Sequence, residues 1–88
     1  MKADHTQVSQ ALKTARGQID GILRMVDEDR YCVDISNQLL ASIALLKKTN
    51  KTVLEAHLQS CVHESFATGA DVDQKIGEIL QLIDKLVR

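Results

Sequence analysis

Apolar residues recur at Val8, Leu12, Ala15, Ile19, Ile22 and Val26, in alternating steps of four and three. That spacing keeps one face of a helix apolar for nearly three heptads, the pattern of an a/d seam. Asp4 precedes the run, and with Gln7 three residues on it predicts an N-cap for a first helix. Gly17 and Gly21 lie inside that helix, each costing about 1 kcal/mol relative to alanine; close backbone packing is the use expected of them. Asp27-Glu28-Asp29 closes the pattern, with Asp29 expected to cap the next helix. A second pattern then begins. Cys32, Leu39, Leu46 and Val53 recur every seven residues, and Ile35, Ile43, Leu54, Leu58 and Cys61 fill the adjoining stripe. The spacing predicts a helix from about Tyr31 to Phe66, far beyond the usual ~11–12 residues. Such a helix needs a neighbour along its whole length, which an antiparallel partner supplies. Asn50 falls on or beside this seam, where a polar residue fixes register. Thr68-Gly69-Ala70-Asp71 ends the run, with Gly69 at the C-cap and Asp71 as the next N-cap. A third helix follows to Arg88, with Val72, Ile76, Ile79, Leu82, Ile83 and Leu86 on one face.

Composition agrees with an all-α reading of three helices in one domain over residues 1–88. The chain is 44% hydrophobic, its only aromatics are Tyr31 and Phe66, and it has no proline. Ala, Leu, Ile, Val and charged residues in that mix are what helical bundles use. A small helical domain with so little aromatic bulk gains burial by oligomerising. No run approaches the 18 or so apolar residues of a membrane span. The first residues, Met1-Lys2-Ala3-Asp4-His5, carry no apolar signal core, so a cytoplasmic location with reduced thiols is expected. Two cysteines in that setting are inert, metal-binding or redox-sensing. The net charge of −1 does not announce nucleic-acid binding. Its distribution says more, because Lys47, Lys48 and Lys51 cluster in mid-chain with Lys13 and Arg16 upstream. No Ser/His/Asp set, phosphate loop or paired carboxylates can be found, and an enzyme is not expected.

Cys32 and Cys61 are 29 positions apart in a stretch without glycine or proline, and His57 lies one helical turn before the second. At 100° per residue, that interval is within roughly 20° of eight whole turns. Both thiols therefore share a helix face but stand roughly 43 Å apart along its axis at 1.5 Å per residue. They cannot share an ion or a disulfide within one intact helix. Two copies packed antiparallel bring Cys32 of one beside Cys61 of the other, at both ends of a symmetric dimer. His57 and Cys61, an i,i+4 pair, then add an imidazole to two thiolates. Sulfur ligands select Cu(I), Zn(II) or thiol chemistry over Mg or Ca. Structural zinc is almost always four-coordinate, so three donors suit a low-coordinate ion such as Cu(I). A single cysteine on an apolar stripe is ordinarily a small buried hydrophobe; the weight here rests on three residues sharing one face. His63, about 200° round the helix from Cys61, reads as surface, and His5 as a solvated terminal residue.

Three stretches carry a family likeness: Arg16-Gly17-Gln18-Ile19-Asp20-Gly21-Ile22-Leu23-Arg24-Met25, then Asp27-Glu28-Asp29-Arg30-Tyr31-Cys32-Val33-Asp34-Ile35, then His57-Leu58-Gln59-Ser60-Cys61-Val62. The chain resembles the copper-sensitive operon repressor (CsoR) family from about Val8 to Leu86, and its Cys…His-x-x-x-Cys spacing matches the copper-sensing branch. The resemblance implies an antiparallel four-helix-bundle dimer built from the first two helices, and dimers pairing into tetramers. It further implies a repressor bound to operator double-stranded DNA and released by Cu(I). Cys32 of one protomer with His57 and Cys61 of the other would hold the ion in trigonal S₂N coordination. Tyr31 and Glu78 match positions thought to hydrogen-bond the outer ring nitrogen of His57, orienting the imidazole. Lys13, Arg16, Lys48 and Lys51 match basic positions of the family's DNA face, while Ala11 stands where the family often has another basic residue. Lysines on a flat helical surface contact mainly phosphates, with a steep salt dependence.

Sister branches lack the histidine (persulfide sensors), replace the second cysteine with histidine (nickel and cobalt sensors) or lack that cysteine (formaldehyde sensors). His57 and Cys61 together argue against all three. The alternatives are a persulfide- or redox-responsive repressor on the same scaffold, since accessible thiols react with oxidants and sulfane sulfur, and a cytosolic copper-binding protein without DNA function.

Overall fold

The computed structural model describes the backbone of residues 1–68 and 72–87 and the side chains of 1–60 and 73–85. The described residues form three helices: α1 (His5–Asp27), α2 (Cys32–Thr68) and α3 (Val72–Val87). α1 begins as its sequence predicts. The Asp4 carboxylate accepts from the Thr6 and Gln7 amides at 2.8 and 3.3 Å, satisfying two donors that a helix N-terminus leaves over. The expected Gly69 and Asp71 caps lie outside the described residues, as does Arg88 at the end of the third helix.

The turn between α1 and α2 differs from expectation. Asp29 does not cap α2; it ends α1. Its φ of 52° puts it in the left-handed region. Its amide donates to the Val26 carbonyl at 3.0 Å, and the Arg30 amide donates to Met25 at 2.9 Å. Those two bonds are the 5→2 and 6→1 pair of a Schellman motif. Aspartate fills the place usually taken by glycine because its short polar side chain tolerates the left-handed well. α2 then starts one residue later than expected, with the Ile35 amide donating to the Tyr31 carbonyl at 3.2 Å.

α1 and α2 fold back on each other as an antiparallel hairpin, and α3 packs on the C-terminal half of α2. The hairpin seam uses only half of the predicted α1 stripe. Val8, Ala15 and Ile22 are buried, while Leu12, Ile19 and Val26 are about half exposed. On α2 the shift is larger. The heptad of Cys32, Leu39 and Leu46 points away from α1, and the hairpin instead closes over Ile35, Ser42, Leu45 and Thr49. Asn50 is exposed in the protomer. Small residues dominate the seam, and Ser42 Oγ donates across it to Gln18 Oε1 at 2.9 Å. Gly17 and Gly21 are not there for close packing within the chain, because a Cβ at either would meet nothing within 4 Å.

The result is a flat layer of helices measuring 57 × 27 × 12 Å. Its radius of gyration is 17.5 Å, against about 12 Å for a compact domain of this length. Among the described residues no large side chain is fully buried. One protomer therefore covers little of its own apolar surface.

Candidate metal centre and basic face

Cys32 is the first residue of α2, and its thiol is free and exposed. His57 lies 25 residues further along the same unbroken helix, roughly 38 Å away at 1.5 Å per residue. Residue 61 follows one turn later; the Cys61 side chain, like that of His63, lies outside the described residues. Among the described residues no three potential ligands from His, Cys, Asp and Glu gather within the chain. A helix of this length keeps the ends apart, so the predicted donors stay separated in one protomer.

His57 lies at the edge of an apolar groove of about 370 Å³ between α2 and α3, lined by Lys51, Leu54, Leu58, Ile79, Leu82 and Ile83 among others. The reason is local. Leu54 and Leu58 recur at helical spacing on α2, and the face of α3 that meets them carries Ile79, Leu82 and Ile83. His57, next to Leu58, is exposed and lines that groove. Glu78 is exposed on α3 beside Ile79. Tyr31 is 66% exposed and contributes its carbonyl to the start of α2. In one protomer Tyr31 and Cys32 belong to the α1–α2 end of the hairpin, and His57 and Glu78 to the α2–α3 end.

The basic residues predicted for DNA divide between two settings. Lys13, Arg16, Lys48 and Lys51 are all exposed. Lys48 lines a crevice across the hairpin with Gln7, Ala11 and Thr52, so Ala11 faces α2. Lys13 lines a shallow surface groove with His5, Thr6, Ser9 and Gln10. Lys51, one turn on from Lys48, lines the α2–α3 groove with His57 and pairs with Glu55 at 3.8 Å. Both ends of that pair are well exposed, so it holds Lys51 only weakly. Sequence reasoning missed the Gln18–Ser42 bond. Its signal was present in Ile35, Ser42 and Thr49, a second heptad on α2 hidden by the more apolar one beside it.

A family model of metal-sensitive transcriptional repressors matches residues 4–85. The chain belongs to that family. It is similar to the copper-sensing transcriptional repressor CsoR of Bacillus subtilis, 39% identical over 82 residues that cover 93% of this chain and 80% of that one. A solved copper-sensing repressor CsoR with Cu(I), from Geobacillus thermodenitrificans NG80-2, superposes with a TM-score of 0.83 at 30% identity, covering 94% of this chain and 85% of that chain. The nickel-responsive regulator InrS superposes equally well, with a TM-score of 0.84 over 98% of this chain and 96% of that one, at 23% identity. That likeness is one of fold alone. Some mycobacterial relatives are longer, and the chain spans 61% of one and 49% of another. A nickel-responsive and a copper-sensing protein on one backbone mean that this fold does not by itself choose the metal. The donor set must do so. Among the described residues, no helix is long and apolar enough to cross a membrane.

Proposed function

We propose that the chain is a copper(I)-responsive transcriptional repressor, holding operator DNA in its apo form and releasing it when Cu(I) binds. One observation carries the reading: α2 runs unbroken from Cys32 to Thr68, so Cys32 can meet His57 and Cys61 only across two copies. The uncovered stripe of Leu12, Ile19, Leu39, Ile43 and Leu46 supports an antiparallel partner at that face. Pairing there forms a homodimer with two Cys32/His57/Cys61 sites, and dimers of this family type pair further into tetramers.

The residues suit the ion. Two thiols and an imidazole are soft donors, and three fall short of the four that structural zinc takes. Bound there, Cu(I) supplies a low-coordinate acceptor that prefers sulfur to water. Cys61 and the partner subunit's Cys32 would hold the ion as thiolates, giving up their protons. His57 would hold it through one nitrogen and keep the N–H of the other for Glu78 and the partner subunit's Tyr31, which would orient the ring. Since α3 already packs against the turn that carries His57, a bond from Glu78 ties the third helix to the occupied site. Coupling to DNA requires only that this tied conformer fit DNA less well, and the two ligands then weaken each other by one common factor. Lys13, Arg16, Lys48 and Lys51 bind phosphates, giving affinity that falls steeply with salt. The setting is the cytoplasm, where the thiols stay reduced.

Titration with Cu(I) against a competing chelator tests the site. One ion per protomer is expected, lost in His57→Ala with the helix content unchanged. A gel shift on DNA upstream of the chain's own gene, with and without Cu(I), tests the response. The exposed Cys32 thiol favours one second reading, a persulfide- or redox-responsive repressor. Release of DNA by sulfane sulfur and not by Cu(I) would put that reading first. Copper binding without DNA affinity would leave a copper-binding role alone.

A further inference from the structure

The basic residues of α1 and the metal donors of α2 are on different helices. Within one protomer, coupling between them must cross the hairpin seam, because among the described residues α3 packs on α2 and not on α1. Val8 and Ile22 are the large buried apolar side chains of the seam, with Ile35 and Leu45 half-buried beside them. Ala11, Ala15, Ser42 and Thr49 present little bulk, so packing alone fixes the register only loosely. Thr49 is buried but turns its hydroxyl back to the Leu45 carbonyl at 2.8 Å, and so makes no link to α1. Among the described residues one side-chain hydrogen bond joins α1 to α2, from Ser42 Oγ to Gln18 Oε1 at 2.9 Å. Ser42 is 5% exposed and Gln18 half-buried. A directional bond in a part-buried seam fixes position where apolar contacts would tolerate sliding.

Its location gives it leverage. Gln18 is two residues beyond Arg16 and about a turn and a half from Lys13 on α1. On α2, Ser42 lies between Cys32, at the start of the helix, and Lys48. Sliding α1 past α2 by one turn would move Lys13 and Arg16 about 5.4 Å relative to Lys48, comparable with the spacing of phosphates along a strand. We infer that Gln18 and Ser42 are a positioning pair, setting the register of α1 on α2 so that the basic face matches DNA in the apo form and loses that match when the metal site fills. The inference rests on the proposed repressor function and adds to it residues outside both the donor set and the basic face.

The test compares the native chain, Ser42→Ala, and the double variant Ser42→Ala with Gln18→Met. The double variant replaces both polar partners by apolar groups of similar shape, which restores stability without restoring direction. Each protein is titrated onto a labelled duplex from upstream of its own gene, with and without Cu(I), and melted separately. The quantity read is the ratio of the two DNA dissociation constants. Both variants are expected to lose about three- to tenfold of the native ratio, with copper stoichiometry unchanged and the double variant melting where the native chain does. A merely structural bond predicts instead that the ratio follows the melting temperature. A native ratio in the double variant would therefore overturn the inference while leaving the repressor reading intact. Absence of copper-dependent release in the native chain would overturn both.

Discussion

The inner seam of the α1–α2 hairpin and the outer stripe of the same two helices have opposite character. The seam buries Val8, Ala15, Ile22, Ser42 and Thr49, of which only Val8 and Ile22 are large and apolar. The stripe leaves Leu12, Ile19, Leu23, Val26, Leu39, Ile43 and Leu46 at 41–57% exposure. A chain that folded as an isolated unit would place its leucines the other way round, because apolar area removed from water is worth roughly 25 cal/mol per Å². Here the largest apolar side chains are held for a surface that one copy cannot cover. The protomer leaves much of its apolar surface uncovered, as the proposed antiparallel partner requires.

That contrast can be broken most sharply at Leu46. Leu46→Glu leaves the hairpin seam untouched but places a charge where the partner must pack. An unpaired buried charge costs about 3–5 kcal/mol, so sedimentation velocity should show the dimer lost and copper stoichiometry falling with it. Ile22→Ala acts on the seam instead. Ile22 is 8% exposed, and truncation should cost about 2 kcal/mol, the low end for a buried isoleucine because the seam is shallow. Thermal melting should fall while the metal site survives. If Ile22→Ala disrupted assembly more than Leu46→Glu, the assignment of the two faces would be reversed.

Lys48→Ala sharpens the comparison at the edge of the seam. DNA affinity should fall about three- to tenfold, and the slope of log affinity against log salt should shrink by about one, uniformly across sequences. The smallest effect is expected at Gly17. Its Cβ position meets nothing within 4 Å, so Gly17→Ala should stabilise the protein by somewhat under ~1 kcal/mol, read as a raised melting temperature. A loss of stability would mean that a second copy approaches the α1 backbone at that point.

Much of this was legible in the chain. Three helices and the Asp4 cap follow from period, capping chemistry and the absence of proline, all of which act within a few residues. The separation of Cys32 from His57 and Cys61 was legible too, since helix rise fixes it once the helix is unbroken. The Asp29 assignment failed because an aspartate between two helices can serve either one. Which one it serves depends on whether its backbone enters the left-handed well, and both outcomes look alike in sequence.

The helices, their approximate extents and the soft donors were readable from the chain, because each depends on local chemistry and a fixed rise per residue. Which of two neighbouring stripes on α1 and α2 faces inward came from packing alone. The two heptads lie side by side, and the more apolar one does not win the hairpin. Small residues do, because they let the helices approach closely while the leucines remain for a partner. The same decision placed Gln18 against Ser42 and brought α3 onto the turn carrying His57. Each is a relation between residues distant along the chain, which periodicity along one strand of sequence does not encode.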